Sequence, residues 1–211
     1  DVRALCFCVD KDHARFMQAK FTLANLRSDV LTSDDTPEHR NSVRRKLRNK
    51  EINYLFVVDI FNEGVDIPEI DTVMFLRPTE SLTIFLQQFG RGLRKAEGKD
   101  HLTVLDFVGH SRSEFNYQDR FRALMGKTSM SVAEEISRDF PHLPLNCHIT
   151  LERQAREYIL ENIECALRNT NRSRILNMVR DFKRNYNLPL NLHNFTLLTG
   201  VTVEKIYKST T

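Results

Sequence analysis

The first half of the chain alternates short apolar runs with stretches of helical periodicity. The apolar runs are continuous enough to be strands that are buried on both faces of a parallel sheet. They occupy residues 4–9, 29–31, 54–58, 72–76 and 102–108, and the helical stretches between them occupy residues 12–25, 37–49 and 80–94. Strands that are separated by single helices form β-α-β units. The pattern therefore predicts an α/β domain over residues 1–110, in which a mostly parallel sheet has helices on both faces.

The strand pattern fades after residue 108, and residues 111–211 are predicted to form a smaller, mainly helical domain. Its predicted helices are residues 131–138, 150–168, 171–186, 191–198 and 202–208. The last two helices are separated by Thr199-Gly200-Val201, as in a helix-turn-helix. A packing hairpin explains this pattern equally well, because the last helix offers only Lys205 and Lys208 for phosphate contacts.

The composition excludes several classes of protein. The 211 residues are 41% hydrophobic, which suffices for two globular cores. No run approaches the roughly 20 apolar residues that span a membrane, and the first residues lack the pattern of a signal peptide. We therefore expect a cytoplasmic protein without a membrane partner. The four cysteines do not have zinc-binding spacing, so no metal site is expected within the chain.

The formal charge of +3 is unevenly distributed. Residues 1–110 contain 16 Lys and Arg against 17 Asp and Glu, whereas residues 111–211 contain 15 against 11. Part of the excess lies on a predicted amphipathic helix, whose candidate contacts to nucleic acid are Arg172, Arg174 and Lys183. A solvated outer face is the alternative interpretation of this helix.

Residues 82–94 carry the most informative chemistry. On a helix with 100° per residue, Arg91 and Arg94 each lie within about 40° of Gln87, opposite an apolar side. Two arginine forks on one face form a good phosphate clamp. Gly90 lowers the stability of a helix by roughly 1 kcal/mol relative to alanine, so close approach of the backbone to a ligand is a reason for its presence. A solvated basic face is the competing interpretation.

These residues resemble a conserved motif of a known family. Gln87-x-x-Gly90-Arg91-x-x-Arg94 resembles motif six of superfamily 2 helicases, and Gly64-Val-Asp66-Ile-Pro68 resembles their motif five. Residues 7–14 are similar to motif four, and Arg40 lies where the family carries an arginine before motif five. The resemblance covers residues 3–110 and implies a RecA-like fold, the second motor domain of such a helicase.

The resemblance implies a role for each matching residue. Arg94 would be the arginine finger that meets the γ-phosphate of ATP, Arg91 a second phosphate contact and Gln87 a positioning group. Gly64, Asp66 and Gly90 would lie beside the nucleotide, although Asp66 is alternatively a turn carboxylate ahead of Pro68. These residues would act in trans on ATP and Mg²⁺ that are held mainly by an N-terminal RecA-like domain.

The 211 residues contain no Gly-x-x-x-x-Gly-Lys-Ser/Thr phosphate loop and no Asp-Glu box for magnesium. We therefore expect that the chain is one part of a motor and hydrolyses little or no ATP by itself.

The expected nucleic-acid partner is DNA, with RNA less favoured. Residues 61–68 and 75–81 look more like restriction-type and repair-type helicases than DEAD-box RNA helicases. Val58 stands where many relatives carry a threonine, which removes one candidate phosphate donor. The remaining candidates in the first domain are Lys11, Thr32 and Ser33, and an ordinary turn at Thr32-Ser33 is the alternative.

Residues 102–165 are similar to the tail of bacterial restriction-like helicases with a helical accessory domain. The main functional alternative to a motor domain is a non-catalytic scaffold, derived from a helicase domain, that binds nucleic acid or a partner. An unrelated doubly wound enzyme is less favoured, because no nucleophile–base pair or glycine-rich cofactor turn lies at a strand end.

Overall fold

The computed structural model describes residues 2–58, 67–77, 96, 99–107 and 117–208. The chain divides into two compact units, Asp1–His110 and Ser111–Thr211. The predicted helix at residues 80–94 lies outside the described residues.

The described residues of the first unit form a five-stranded sheet in which every neighbouring pair is parallel. Its described elements are β1 (Ala4–Phe7), α1 (Lys11–Leu23), β2 (Ser28–Leu31), α2 (Pro37–Arg48), β3 (Tyr54–Val57), β4 (Thr72–Phe75) and β5 (Thr103–Asp106). The strand order is β2-β3-β1-β4-β5, so β1 lies in the centre. The predicted α/β fold with a parallel sheet is confirmed.

The central strands are buried on both faces. On one face, Cys6 packs with Phe56 and Met74 in a cluster that includes Ala14 of α1. On the other face, the rings of Phe7 and Phe75 stack with their centroids 5.6 Å apart. This two-sided burial explains the continuous apolar runs in the sequence. The parallel pairing of β1 with β3 and β4 places the carboxyl ends of these strands at one edge of the sheet.

Side-chain caps place the first turns of α1 and α2 beyond this edge. Asp10 accepts a hydrogen bond from the backbone N–H of His13 (2.7 Å), and Thr36 accepts one from that of His39 (3.2 Å). Pro37 occupies the first turn of α2, where its lack of an N–H costs nothing. The loops between β1 and α1 and between β2 and α2 therefore have defined end points.

The described part of the second unit is helical, apart from an isolated bridge between Thr128 and Tyr186. Its helices are α3 (Tyr117–Leu124), α4 (Val132–Ser137), α5 (Arg153–Arg168), α6 (Arg172–Asn185), α7 (Leu192–Thr199) and α8 (Val203–Lys208). The periodicity of the sequence predicts all of these helices except α3.

The core of the second unit joins α6 to the α7–α8 hairpin. Phe182 of α6 is fully buried, and it packs with Phe195 and Leu198 of α7. Lys205 of α8 donates to the carbonyl of Leu167 at 2.7 Å, so its charge lies at the C-terminal end of α5. These contacts favour the packing-hairpin interpretation of residues 192–208 over a groove-reading helix-turn-helix.

Candidate functional site

The carboxyl edge of the sheet holds the candidate nucleic-acid residues of the first unit. Parallel strands place their carboxyl ends together, and ligands of open α/β sheets bind in the crevice at that edge. Lys11 begins α1 after β1, while Thr32 and Ser33 directly follow β2.

The predicted nucleotide residues lie outside the described residues. They are Gln87, Arg91 and Arg94 of the arginine-containing motif, together with Gly64, Asp66 and Gly90.

Lys11 is paired with a carboxylate that the sequence patterns do not identify. Its Nζ lies 2.5 Å from Oδ2 of Asp34, and both side chains are exposed. The hydrogen bond and charge of Lys11 lower the pKa of Asp34 below its usual range. The position of Asp34 after β2, at the same edge as Lys11, is the sequence feature that could have revealed the pair. An anion that binds Lys11 therefore has to compete with Asp34.

Thr32 is buried in a tight turn. Its backbone N–H and its hydroxyl both donate to Oδ2 of Asp35, at 2.6 and 3.1 Å. Arg40 donates to the carbonyl of Ser33 at 2.8 Å and ties the turn to α2. The Thr32 donors are thus already used within the turn, whereas Ser33 is exposed beside them.

Val58 and the neighbouring thiols belong to the core. The Val58 side chain is buried in the cluster that contains Cys6 and Cys8, so it does not face a ligand. Burial raises the pKa of the Cys8 thiol to about 12 and raises that of Cys6 as well. Both thiols are therefore protonated at neutral pH and are not nucleophiles.

The basic residues of α6 separate into two groups. Arg172 and Lys183 are exposed, whereas Arg174 is half-buried on a different side of the helix. Burial raises the pKa of Asp119 on α3, and the positive charge of Arg174 opposes that rise. Arg174 therefore lies near Asp119. Helical periodicity alone does not distinguish it from the exposed Arg172 and Lys183.

Within the described ranges, no group of three or more His, Cys, Asp or Glu residues is arranged to hold a metal ion. Among the helices that the structure describes, none combines the length and apolar character that crossing a membrane requires.

The order of the parallel strands and the loops at their carboxyl edge place the first unit in the RecA-like α/β class. Residues 1–96 match the family described as helicase conserved C-terminal domain. The first unit has this fold, and over residues 1–96 its sequence is similar to the C-terminal domain of superfamily 2 helicases.

Curated relatives match over the same region. The chain is 38% identical over 107 residues to "Putative ATP-dependent helicase IRC3" of Saccharomyces cerevisiae. This match covers 51% of this chain and 16% of that protein. It is 33% identical over 108 residues to "Putative mitochondrial ATP-dependent helicase irc3" of Schizosaccharomyces pombe, which covers 51% of this chain and 18% of that protein. The chain thus spans less than a fifth of the length of these relatives.

A solved structure supports the fold alone. The yeast DEAD-box splicing factor Prp28 aligns with a TM-score of 0.55 and 15% identity, over 74% of this chain and 30% of that protein.

Proposed function

We propose that this chain supplies the C-terminal motor domain of an ATP-dependent helicase or translocase that acts on DNA. The observation that carries the proposal is the helicase C-terminal family match over residues 1–96, a range that includes the Gln87–Arg94 motif. The proposal also assigns residues 111–211 as a helical accessory domain.

Arg94 is the arginine finger in this proposal. A guanidinium that is held in place beside the transferred phosphate stabilises the charge that develops there, and such a group accounts for about 10³–10⁵ in rate in known phosphoryl-transfer systems. Arg91 gives a second phosphate contact, and Gln87 positions the nucleotide against the N-terminal RecA-like domain. ATP and Mg²⁺ are shared with that domain, which supplies the phosphate loop.

Gly64, Asp66 and Gly90 complete the nucleotide side of the site. Asp66 is proposed to accept a hydrogen bond from the ribose. The two glycines allow the backbone to approach the nucleotide and the neighbouring domain.

Lys11 and Ser33 are the proposed contacts to the nucleic-acid backbone in the first unit. Ser33 is exposed and Lys11 is partly exposed at the carboxyl edge of the sheet. Thr32 contributes by holding the turn rather than by donating to phosphate, because its amide and hydroxyl donate to Asp35. DNA is proposed over RNA from the resemblance of residues 61–68 and 75–81 to restriction-type and repair-type helicases.

A cytoplasmic location is a further part of the proposal. Since one relative carries "mitochondrial" in its name, immunofluorescence in the native cell is the direct check. An organellar signal would contradict a cytoplasmic location.

The second candidate is a non-catalytic scaffold that binds nucleic acid or a partner. The observation that favours it is Val58, whose buried apolar side chain stands where many helicases carry a phosphate-contacting threonine.

The Arg94→Ala substitution separates the two candidates. In a protein that joins this chain to its N-terminal motor domain, we expect DNA-stimulated ATPase turnover to fall by about 100-fold or more. Arg45→Ala, which removes an exposed arginine from α2, is the matched control and should leave turnover unchanged. Near-normal turnover in the Arg94 variant would refute the arginine-finger role and favour the scaffold.

A further inference from the structure

The outer side of α6 carries cations that no carboxylate neutralises among the described residues of the second unit. Three of its cations are exposed, namely Arg172, Arg180 and Lys183. With 100° of rotation per residue, their positions lie within about 80° of each other around the helix axis. The apolar side of the same helix, with Ile175 and Phe182, is buried in the core. The packing of α6 therefore fixes these three cations toward solvent.

The three cations lack carboxylate partners within the part of the chain that the structure describes. Arg180 donates only to the amide oxygen of Asn177, at 3.3 Å. The single acid on α6, Asp181, lies near Arg184 instead, at 4.0 Å. Other exposed arginines of this unit do have partners, since Arg153 pairs with Glu157 of α5 at 3.1 Å. The positive charge of the outer side is thus available to a ligand.

The position of Arg172 indicates that helix stability did not determine this arrangement. The first turn of α6 contains no acidic residue, and it carries Arg172 and Arg174. Cations in the first turn of a helix oppose its dipole, so they are unfavourable for the helix itself. The same first turn favours an approaching anion. Both features fit a site for a polyanion.

We propose that this outer side of α6 binds the phosphate backbone of nucleic acid, with Arg172, Arg180 and Lys183 as the contacting residues. Lys183 lies eleven positions after Arg172, which spans roughly 16 Å of helix. Duplex DNA carries one charge per roughly 1.7 Å of its axis, so a backbone offers phosphates along this whole length. Arg174 is excluded from the surface because it is half-buried near Asp119. The inference rests on the proposed function for its partner, and it adds a second contact region to that function.

A salt titration tests the surface directly. Binding of the full chain to a 20-base-pair DNA duplex is measured by fluorescence anisotropy over a range of KCl concentrations. The variant Arg172→Gln/Arg180→Gln/Lys183→Gln should bind at least about tenfold more weakly near 0.1 M salt. The slope of log K against log salt should become shallower by about 2 to 3, because roughly 0.9 counterions are released per phosphate contact.

A control variant with the same change in charge isolates the surface from general attraction. Lys127→Gln/Arg138→Gln/Arg153→Gln also removes three exposed cations of the second unit, all outside α6. The proposal predicts little change in affinity or slope for this control. Circular dichroism and the urea midpoint confirm that both variants retain the fold.

Several results would overturn the proposal. Equal losses in the two variants would mean diffuse charge attraction, and unchanged binding in the α6 variant would mean that the surface does not contact the duplex. If the α6 variant lost binding only to vesicles containing phosphatidylserine, the partner would be an anionic membrane instead.

A duplex RNA of the same length shows whether the surface distinguishes the two backbones, and preferential binding to RNA would overturn the proposed DNA substrate but not the phosphate surface. Since Arg94→Ala tests the motor role through turnover, either proposal can fail while the other stands.

Discussion

At the scale of single residues, Lys11 and Thr32 at the carboxyl edge of the sheet already have carboxylate partners inside the first unit. Lys11 pairs with Asp34, and Thr32 donates twice to Asp35. A phosphate that approaches this edge therefore replaces an internal partner of Lys11 rather than meeting a free cation. The free energy of phosphate binding at Lys11 is reduced by the loss of that pair, which is weak because both side chains are exposed.

Removal of the Lys11 charge should return the Asp34 carboxyl toward its ordinary behaviour. In Lys11→Met we expect the pKa of Asp34 to rise toward its usual range, because its hydrogen bond to Lys11 is the largest cause of the lowering. NMR titration of the carboxyl carbon gives this pKa. Lys20→Met, on the same helix, is the control and should leave the Asp34 pKa low.

The same pair determines the sign of a pH effect. The pKa of Asp34 is lower in the folded protein than in the unfolded chain. The ionised Asp34 carboxylate therefore stabilises the fold at any pH above the pKa that this group has in the unfolded chain. That stabilisation is lost as the pH falls through the pKa that Asp34 has in the folded protein. An Asp34 pKa that is the same in Lys11→Met and in the parent protein would contradict this role for Lys11.

At the scale of elements, burial explains both the success and the failure of the sequence patterns. The apolar runs predicted β1, β3 and β4 because these strands are buried on both faces. Helix α3 was missed because its buried side chains include Gln118 and Arg122, which do not form an apolar stripe. Gln118 donates to the carbonyl of Thr199 at 3.4 Å and Arg122 to that of Asn185 at 3.2 Å, across more than 60 residues of sequence. Local periodicity contains no information about such partners.

The candidate site, like the fold, was predictable only as far as strand order and local periodicity determine it. The strand ends placed Lys11 and Ser33 at one edge of the sheet, since that follows from parallel topology alone. The periodicity of α6 identified a basic helix, but it did not separate Arg174 from the exposed cations. That separation depends on the partial burial of Arg174 in the folded unit, which the periodicity of one helix does not show.

The turn between α7 and α8 requires a conformation that favours glycine. Gly200 has φ of 74°, and a Cβ at this position would lie 2.8 Å from Cδ1 of Leu167. Gly200→Ala should lower the free energy of unfolding by about 1–2 kcal/mol, mainly from the left-handed backbone, because the Leu167 side chain can move. Urea denaturation measures the change.

Gly126→Ala is the control for this prediction. A Cβ at Gly126 meets nothing within 4 Å, and this glycine is not among the positive-φ glycines of the described residues. We expect its free energy of unfolding to stay equal to that of the parent or to rise slightly, because alanine restricts the unfolded chain. Equal losses in both variants would indicate that the conformation of Gly200 is not the cause.

At the scale of the whole molecule, the two units have separate cores and carry different parts of the proposed function. The cluster around Cys6 and Phe56 belongs to the first unit, and the cluster around Phe182 belongs to the second. The first unit provides the motor motifs, and α6 of the second provides the proposed phosphate surface. Neither unit contains a complete phosphate loop in its sequence.

The segment that comes nearest to a phosphate loop is Gly126-Lys127-Thr128, in which Phe121 occupies the place of the first glycine. It follows a helix rather than a strand, and Thr128 is buried, with its hydroxyl donating to Oε1 of Glu135 at 2.6 Å. This hydroxyl is therefore not available to a magnesium ion, and the segment cannot cradle the β- and γ-phosphates as a phosphate loop does.

Purified residues 1–211 should consequently hydrolyse ATP at a rate near the background of a phosphate-release assay, with or without DNA. The same chain that carries Arg94→Ala is the control, because any contaminating ATPase contributes equally to both preparations. Joining the N-terminal motor domain should produce turnover in the parent chain but not in the Arg94 variant, since the phosphate loop and the arginine finger then meet at one nucleotide. Turnover by residues 1–211 alone at the rate of a complete helicase, lost on Arg94→Ala, would mean that this chain binds ATP productively without a phosphate loop and would overturn the assignment of Arg94 as a finger that acts in trans.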